Sequence, residues 1–202
     1  MKIDNIYDYI IKIQSIAKIG LVYSKDPYAL SNYQEINDLS KELLENFMEV
    51  KIERPNYFER NIYPTPNISA RVVIFNEDKT KVLMVREANS HLYSLPGGWC
   101  DLYDSPADTA RNEARQEAGA ELKDLRLVGI TNRTPFISNT SVPNYVIVFE
   151  AKLDGSLHEH EYETDDVNFF DVDNLPEISR KTSREELSRF INAAKRGEVI
   201  FD

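Results

Sequence analysis

Apolar side chains recur at intervals of three and four residues along the first part of the chain. This spacing lies on one face of an α-helix and predicts a first helix over residues 3–22, with the stripe Ile3, Ile6, Ile10, Ile13, Ala17 and Leu21. Turn-forming residues at 24–28 separate it from a second helical pattern, which predicts a helical hairpin. Because Ile11, Ile16 and Ile19 widen the first stripe beyond one partner's needs, we expect the hairpin to pack on the main domain or on another subunit.

Strand-like and helix-like patterns share the remainder of the chain. Runs of β-branched and apolar residues predict strands at 70–75, 81–86, 125–131, 145–153 and 167–171. The turn formers at 76–79 predict a hairpin between the first two strands. Helices are predicted at 106–118 and 183–195, the second behind a capping box of Thr182 and Glu185. Mixed strands with separated helices predict an α+β sandwich.

Three prolines mark a boundary between the two regions: Pro55, Pro64 and Pro66. Proline blocks helix continuation and favours extended geometry in the residue before it. We therefore predict an N-terminal helical hairpin over residues 1–54 with a packing or dimerisation role, a linker over 55–67 and a main domain over 68–202.

Composition and charge narrow the functional classes. The chain has 24 Lys and Arg against 34 Asp and Glu, and its net charge of −10 opposes tight binding to a polyanion such as nucleic acid. Its single cysteine, Cys100, excludes an intrachain disulfide and suits a reducing cytoplasm. No signal-peptide pattern opens the sequence and no apolar run reaches membrane-spanning length, so we expect a cytoplasmic protein without a membrane partner.

The helix predicted at 106–118 carries the candidate chemistry. Ser105 suits its N-cap, Pro106 its first turn and Gly119 the left-handed residue past its end. At helical spacing three side chains share one face: Glu113, Gln116 and Glu117. Paired carboxylates suit a hard cation such as Mg²⁺, or Mn²⁺, with a diphosphate as co-ligand. Paired acids alone are more often a solvated helix face, and the preceding glycine pair favours the site.

The segment resembles the Nudix box in unbroken register: Gly98, Asp104, Asn112, Glu113, Gln116, Glu117 and Gly119. Asp104 stands for the usual Glu, Asn112 for Arg and Gln116 for Glu. The resemblance implies a Nudix-type α/β/α sandwich with a mixed sheet. Residues 16–28, 95–99 and 163–170 also resemble the branch with an N-terminal helical hairpin, which includes CDP-choline pyrophosphatase-like and ADP-ribose pyrophosphatase-like enzymes.

The resemblance also implies roles for single residues. Glu113 and Glu117 coordinate the divalent ions, and the Gly97 carbonyl adds a backbone ligand. Gln116 contributes an amide oxygen without charge where a further carboxylate is usual. Glu163 is the candidate general base or extra metal ligand, and an ordinary loop acid is an equal alternative.

Arginines and one aromatic are candidates for contacts with the substrate. Arg86 and Arg133 carry planar donors that suit a phosphate, although each taken alone is more often an ordinary surface arginine. Trp99 is a candidate for stacking on a base, but an aromatic beside a tight glycine turn more often packs into the core.

Together these features predict a magnesium-dependent pyrophosphohydrolase. Its substrate is a small nucleoside diphosphate linked to another group, of the CDP-choline or ADP-ribose type, and it releases a nucleoside monophosphate. A nucleotide-binding or sensor module with weakened catalysis is the alternative, motivated by Gln116 and Asn112. Hydrolysis at RNA ends is a third interpretation, which the negative charge disfavours. The hairpin predicts a homodimer.

Overall fold

The computed structural model describes residues 6–46, 66–133 and 144–202, and contacts divide the chain into units at 1–64 and 65–202. Most of the predicted linker over 55–67 lies outside the described residues. The three predicted domain boundaries therefore stay a prediction. None of the helices in the described ranges is long and apolar enough to cross a membrane.

The first unit contains the predicted pair of helices, α1 (Ile6–Tyr23) and α2 (Pro27–Asn46). Its buried side chains are Ile10, Gln14, Ala17, Ser40 and Leu44. The Gln14 amide donates to Asn37 Oδ1 at 3.3 Å and joins the two helices. A Cβ at Gly20 would collide with the Tyr33 ring, so the absence of a side chain there allows the helices to approach closely.

A second apolar face of α1 stays exposed. Its members lie at helical spacing: Ile6, Tyr9, Ile13, Ile16, Ile19 and Tyr23. Ile13 and Ile16 are 49% and 52% exposed. The width of the apolar stripe was therefore correctly interpreted as more than one partner helix can cover.

The second unit contains seven strands and two helices in its described part. They are β1 (Asn67–Ile74), β2 (Lys81–Glu87), β3 (Tyr93–Ser94), α3 (Pro106–Ala118), β4 (Leu122–Asn132), β5 (Asn144–Leu153), β6 (Thr164–Asp171), α4 (Arg184–Arg196) and β7 (Ile200–Phe201). One sheet has the order β1-β5-β4-β7 and is mixed, because β5 pairs with β1 in parallel and with β4 antiparallel. The other has the order β3-β2-β6 and is antiparallel.

Alternation along β1 and β2 separates two layers of core. Val72 and Ile74 of β1 pack with Ala110 and Ala114 of α3. Val73, between them in sequence, belongs to the cluster that contains the apolar face of α4. The two helices therefore cover opposite faces of the strands, and the predicted α+β sandwich with a mixed sheet is confirmed.

The predicted hairpin between the first two strands is wrong. β1 pairs in parallel with β5, while β2 pairs with β3 and β6 in the other sheet. Only a single bridge, Phe75 to Val82, joins the two strands beyond their turn. The turn residues specify a chain reversal, but long-range burial decides whether the strands continue as one ladder.

The ends of the helices test the predicted capping. Ser105 Oγ accepts from Asp108 N at 3.1 Å and Gly119 adopts a left-handed φ of 60°, as predicted. For α4 the N-cap is Ser183, whose hydroxyl accepts from Glu186 N at 3.1 Å, and not Thr182. Two overlapping boxes have the same residue spacing, so the local pattern could not distinguish them.

Candidate active site

The glycine turn lies between β1 and the N-terminal half of the site helix. Ala70 N donates to Gly98 O at 2.9 Å, and Val72 N donates to Pro96 O at 3.0 Å. Gly97 has a φ of 147°, and a Cβ there would collide with the Ala70 carbonyl. A Cβ at Gly98 would collide with the Glu113 carboxylate. Both glycines are needed because the turn backbone touches the strand and the carboxylate at once.

Glu113 and Glu117 lie on successive turns of α3 and face this turn. Glu117 is only 8% exposed, and its Oε2 accepts from Gly97 N at 2.8 Å. Burial, reinforced by the charge of Glu117, raises the pKa of Glu113 to about 7. Burial likewise raises the pKa of Glu117. Two neighbouring buried acids favour either a retained proton or a bound cation.

A small cavity of about 140 Å³ opens beside these acids and is lined by Glu113, Gln116, Glu117, Glu161 and Glu163. The fold therefore brings together four of the side chains singled out in the sequence. Glu161 N donates to Gln116 O at 2.7 Å, and the Thr164 hydroxyl donates to Glu117 O at 2.6 Å. These bonds hold the loop before β6 against the end of α3.

Glu161 is a wall of this cavity that the sequence patterns did not single out. It stood among several loop acids around Glu163, and nothing local distinguished it. The one available signal was its place two residues before Glu163. Its position depends on the backbone bond to Gln116, which joins residues 45 positions apart and has no sequence pattern.

Arg71 is a second site residue that sequence reasoning missed. It lies in β1, is 6% exposed, and its Nη1 donates to the Gly97 carbonyl and, at 3.2 Å, to Leu95 O. Its positive charge opposes the effect of burial and lowers the pKa of Glu113 and Glu117. A charged residue within an apolar strand run was the signal, because arginine is rarely buried without a role.

The two arginines predicted to contact substrate lie elsewhere. Arg86 Nε forms an ion pair with Asp165 Oδ1 at 2.6 Å. Arg133 is 5% exposed and pairs at 3.0 Å with Glu186, which is also buried. Neither lines the acidic cavity, so their contact with substrate phosphate stays a prediction.

Trp99 differs from the expectation that it packs into the core. Its side chain is 44% exposed, while its backbone bridges to Ser69 of β1. The bridge explains the difference, because the strand-like pairing holds the backbone inside and turns the ring outward.

The donor set was compared with the needs of a divalent cation. Within the described ranges, no three His, Cys, Asp or Glu side chains form a ready metal cluster. Mg²⁺ is typically bound through one or two carboxylates and keeps water or phosphate oxygens in its other positions. The buried pair Glu113 and Glu117, beside an open cavity with oxygen donors, fits this requirement.

This fold, with an acidic helix face behind a glycine turn, defines the Nudix class, and the comparison with family models agrees. Residues 65–192 match the NUDIX domain, and residues 4–54 match a model described as a UDP-X-like, N-terminal oligomerisation domain. The chain belongs to the Nudix family. It is a Nudix hydrolase with an N-terminal helical hairpin.

Individual relatives extend this result. The chain is 32% identical over 173 residues to "Putative ADP-ribose pyrophosphatase YjhB" of Bacillus subtilis (strain 168), covering 84% of this chain and 82% of the relative. It is 35% identical to a crystal structure of an ADP-ribose pyrophosphatase from Streptococcus suis 89-1591, with TM-score 0.57, over 68% of this chain and 100% of that one. A UDP-X diphosphatase crystal structure covers 96% of both chains with TM-score 0.65, and at 23% identity it shows the fold alone.

Proposed function

We propose that the protein hydrolyses the diphosphate of a nucleoside diphosphate linked to another group, with Mg²⁺ as cofactor, and releases a nucleoside monophosphate. The pair Glu113 and Glu117, buried together beside the glycine turn, carries this proposal. Relatives described as ADP-ribose pyrophosphatases support a substrate of the ADP-ribose type. A substrate of the CDP-choline type rests on the sequence resemblance.

Each side chain has a role in this proposal. Glu113 and Glu117 would hold the cation, with neutral oxygens from Gly97 and Gln116. When bound, the ion supplies charge neutralisation for the phosphoryl oxygens. Arg71 holds the Gly97 carbonyl in place by donating to it from behind.

Glu163 reaches the cavity from a separate loop and is the proposed base. A water oxygen forms the new bond to phosphorus while the bond to the bridging oxygen breaks. Glu163 accepts the proton of that water, and the bridging oxygen leaves with the other product.

The test is turnover of ADP-ribose and CDP-choline with Mg²⁺ or Mn²⁺ by wild type and two variants. We expect Glu117→Gln to reduce turnover by ~100-fold or more, because the variant removes a buried negative charge. Gln116→Glu restores a carboxylate and should lower the Mg²⁺ concentration needed for half-maximal rate. Full activity of Glu117→Gln would exclude this metal site, and tight metal-independent binding without turnover would support the sensor alternative.

We also propose that the protein is a homodimer joined through its N-terminal hairpin. The exposed apolar face of α1, including Ile13 and Ile16, supports this assembly. The description of the family model that matches residues 4–54 points the same way.

A further inference from the structure

A second and larger cavity lies beside the ends of β2 and β3. Its volume is about 550 Å³, and it is lined by Glu87, Ser90, Leu92, Ser179, Arg180 and Lys181. Cavities of roughly 300–1,000 Å³ accommodate small ligands. None of the residues named above as site candidates belongs to this lining.

Backbone pairing builds this cavity from segments far apart in sequence. Glu87 N donates to Leu92 O at 3.0 Å and closes the turn after β2. Ser179 N donates to Tyr93 O at 2.7 Å and fastens the loop before α4 to β3. Ser179 is only 4% exposed, so the loop that presents Arg180 and Lys181 is anchored at the point where they begin.

The lining is positively charged in a chain whose net charge is −10. Lys181 Nζ pairs with Glu87 Oε1 at 3.1 Å, and these two charges offset each other. Arg180 is exposed and forms no ion pair with any residue in the described ranges. One guanidinium charge therefore remains for a ligand, together with the hydroxyls of Ser90 and Ser179.

The cavity adjoins the acidic one. Ala88 N, next to the lining residue Glu87, donates to Glu163 O at 3.0 Å. The charge of Lys181 also acts on the catalytic helix, where it lowers the pKa of both Glu113 and Glu117. A diphosphate at the acidic residues would therefore extend its second substituent toward Arg180 and Lys181.

We propose that this cavity holds the group attached to the distal phosphate, and that Arg180 and Lys181 select a hydroxylated or anionic group over a cationic one. This inference rests on the function proposed above and adds the class of leaving group. A planar guanidinium and hydroxyls suit phosphate and sugar oxygens. A quaternary ammonium group is bound by aromatic rings, and none of the described lining residues is aromatic.

The experiment compares two substrates that share one nucleotide, CDP-glycerol and CDP-choline, in wild type and in Arg180→Glu. We expect wild type to have a kcat/KM about tenfold or more higher for CDP-glycerol, and Arg180→Glu to reduce that ratio by a similar factor. Lys195→Glu is the matched control, because it makes the same charge change at an exposed position of α4 outside the cavity. The control should keep the wild-type ratio.

A binding measurement separates this inference from the proposed hydrolysis. Glycerol 3-phosphate and phosphocholine are titrated calorimetrically into wild type and Arg180→Glu, which needs no turnover. Tighter binding of glycerol 3-phosphate that is lost in Arg180→Glu supports the cavity assignment even if no substrate is cleaved. Equal substrate and binding ratios in wild type and Arg180→Glu would overturn it, even if hydrolysis is efficient.

Discussion

Arg71 links the sheet to the glycine turn and places a buried positive charge behind two buried acids. The box position that usually carries arginine is Asn112, which is exposed on α3. Arg71 therefore supplies from β1 a cation that the helix itself lacks. Its Nη1 bonds to Leu95 O and Gly97 O make it a positioning residue for the turn.

Replacement of Arg71 by methionine should lower activity strongly. The Gly97 carbonyl would lose its donor, and we expect kcat to fall by ~10- to 100-fold, the range for residues that orient metal ligands. Arg71→Lys keeps the charge without the planar fork and should fall between the two. Arg126→Met is the control, because Arg126 pairs with Glu150 away from the cavity. Unchanged kcat and Mg²⁺ dependence in Arg71→Met would refute the positioning role.

Glu113 predicts how stability depends on pH without divalent ions. Its folded pKa of about 7 lies above its ordinary value of 4.5 because of burial and the Glu117 charge. The folded state therefore retains a proton that the unfolded state loses, and this contribution is full below pH ~4.5 and is lost as the pH rises toward ~7. Wild type should thus lose stability relative to Glu113→Gln across that window, by on the order of 3 kcal/mol.

Thermal unfolding in EDTA between pH 4.5 and 8 measures this difference. Adding Mg²⁺ at pH 7.5 should stabilise wild type and leave Glu113→Gln largely unchanged, because the cation replaces the lost proton. Glu121→Gln alters an exposed acid outside the cavity and serves as the control. Parallel pH curves for wild type and Glu113→Gln would contradict the coupling.

Individual elements show where local patterns were sufficient. The boundaries of α3 were predictable because Ser105, Pro106 and Gly119 act on their own backbone, within one turn of the helix. The N-cap of α4 was missed by one residue because Thr182 and Ser183 are each followed by Glu at the third position. β3 and β7 have two residues each and are too short to show a period.

Pairing between elements was less predictable. The strands β1 and β2 have buried side chains on both faces, so each pattern was compatible with a central place in either sheet. The register of β1 with β5 runs from Asn67 opposite Asn144 to Ile74 opposite Ala151. A parallel pairing over that sequence distance is decided by which surfaces close the core, and no turn encodes it.

At the scale of the whole molecule, the exposed face of α1 predicts the assembly. Replacing Ile13 and Ile16 by glutamate should convert the homodimer to a monomer, because charges at a buried apolar interface cost more than the association gains. Light scattering should then report one chain mass, 23.3 kDa, where wild type reports two. Ser31→Glu, on the exposed surface of α2, should keep the dimer. A monomeric wild type would refute the proposal.

The sequence alone determined the helical hairpin, the limits of α3 and the placement of Glu113 and Glu117 on one face, because these depend on contacts within a few residues. Tertiary structure alone decided the rest of the site. Arg71 meets Gly97, and the Arg180 loop reaches the turn after β2, through contacts between distant segments. Such contacts follow from how the whole core is buried, and the order of residues along one element does not contain them.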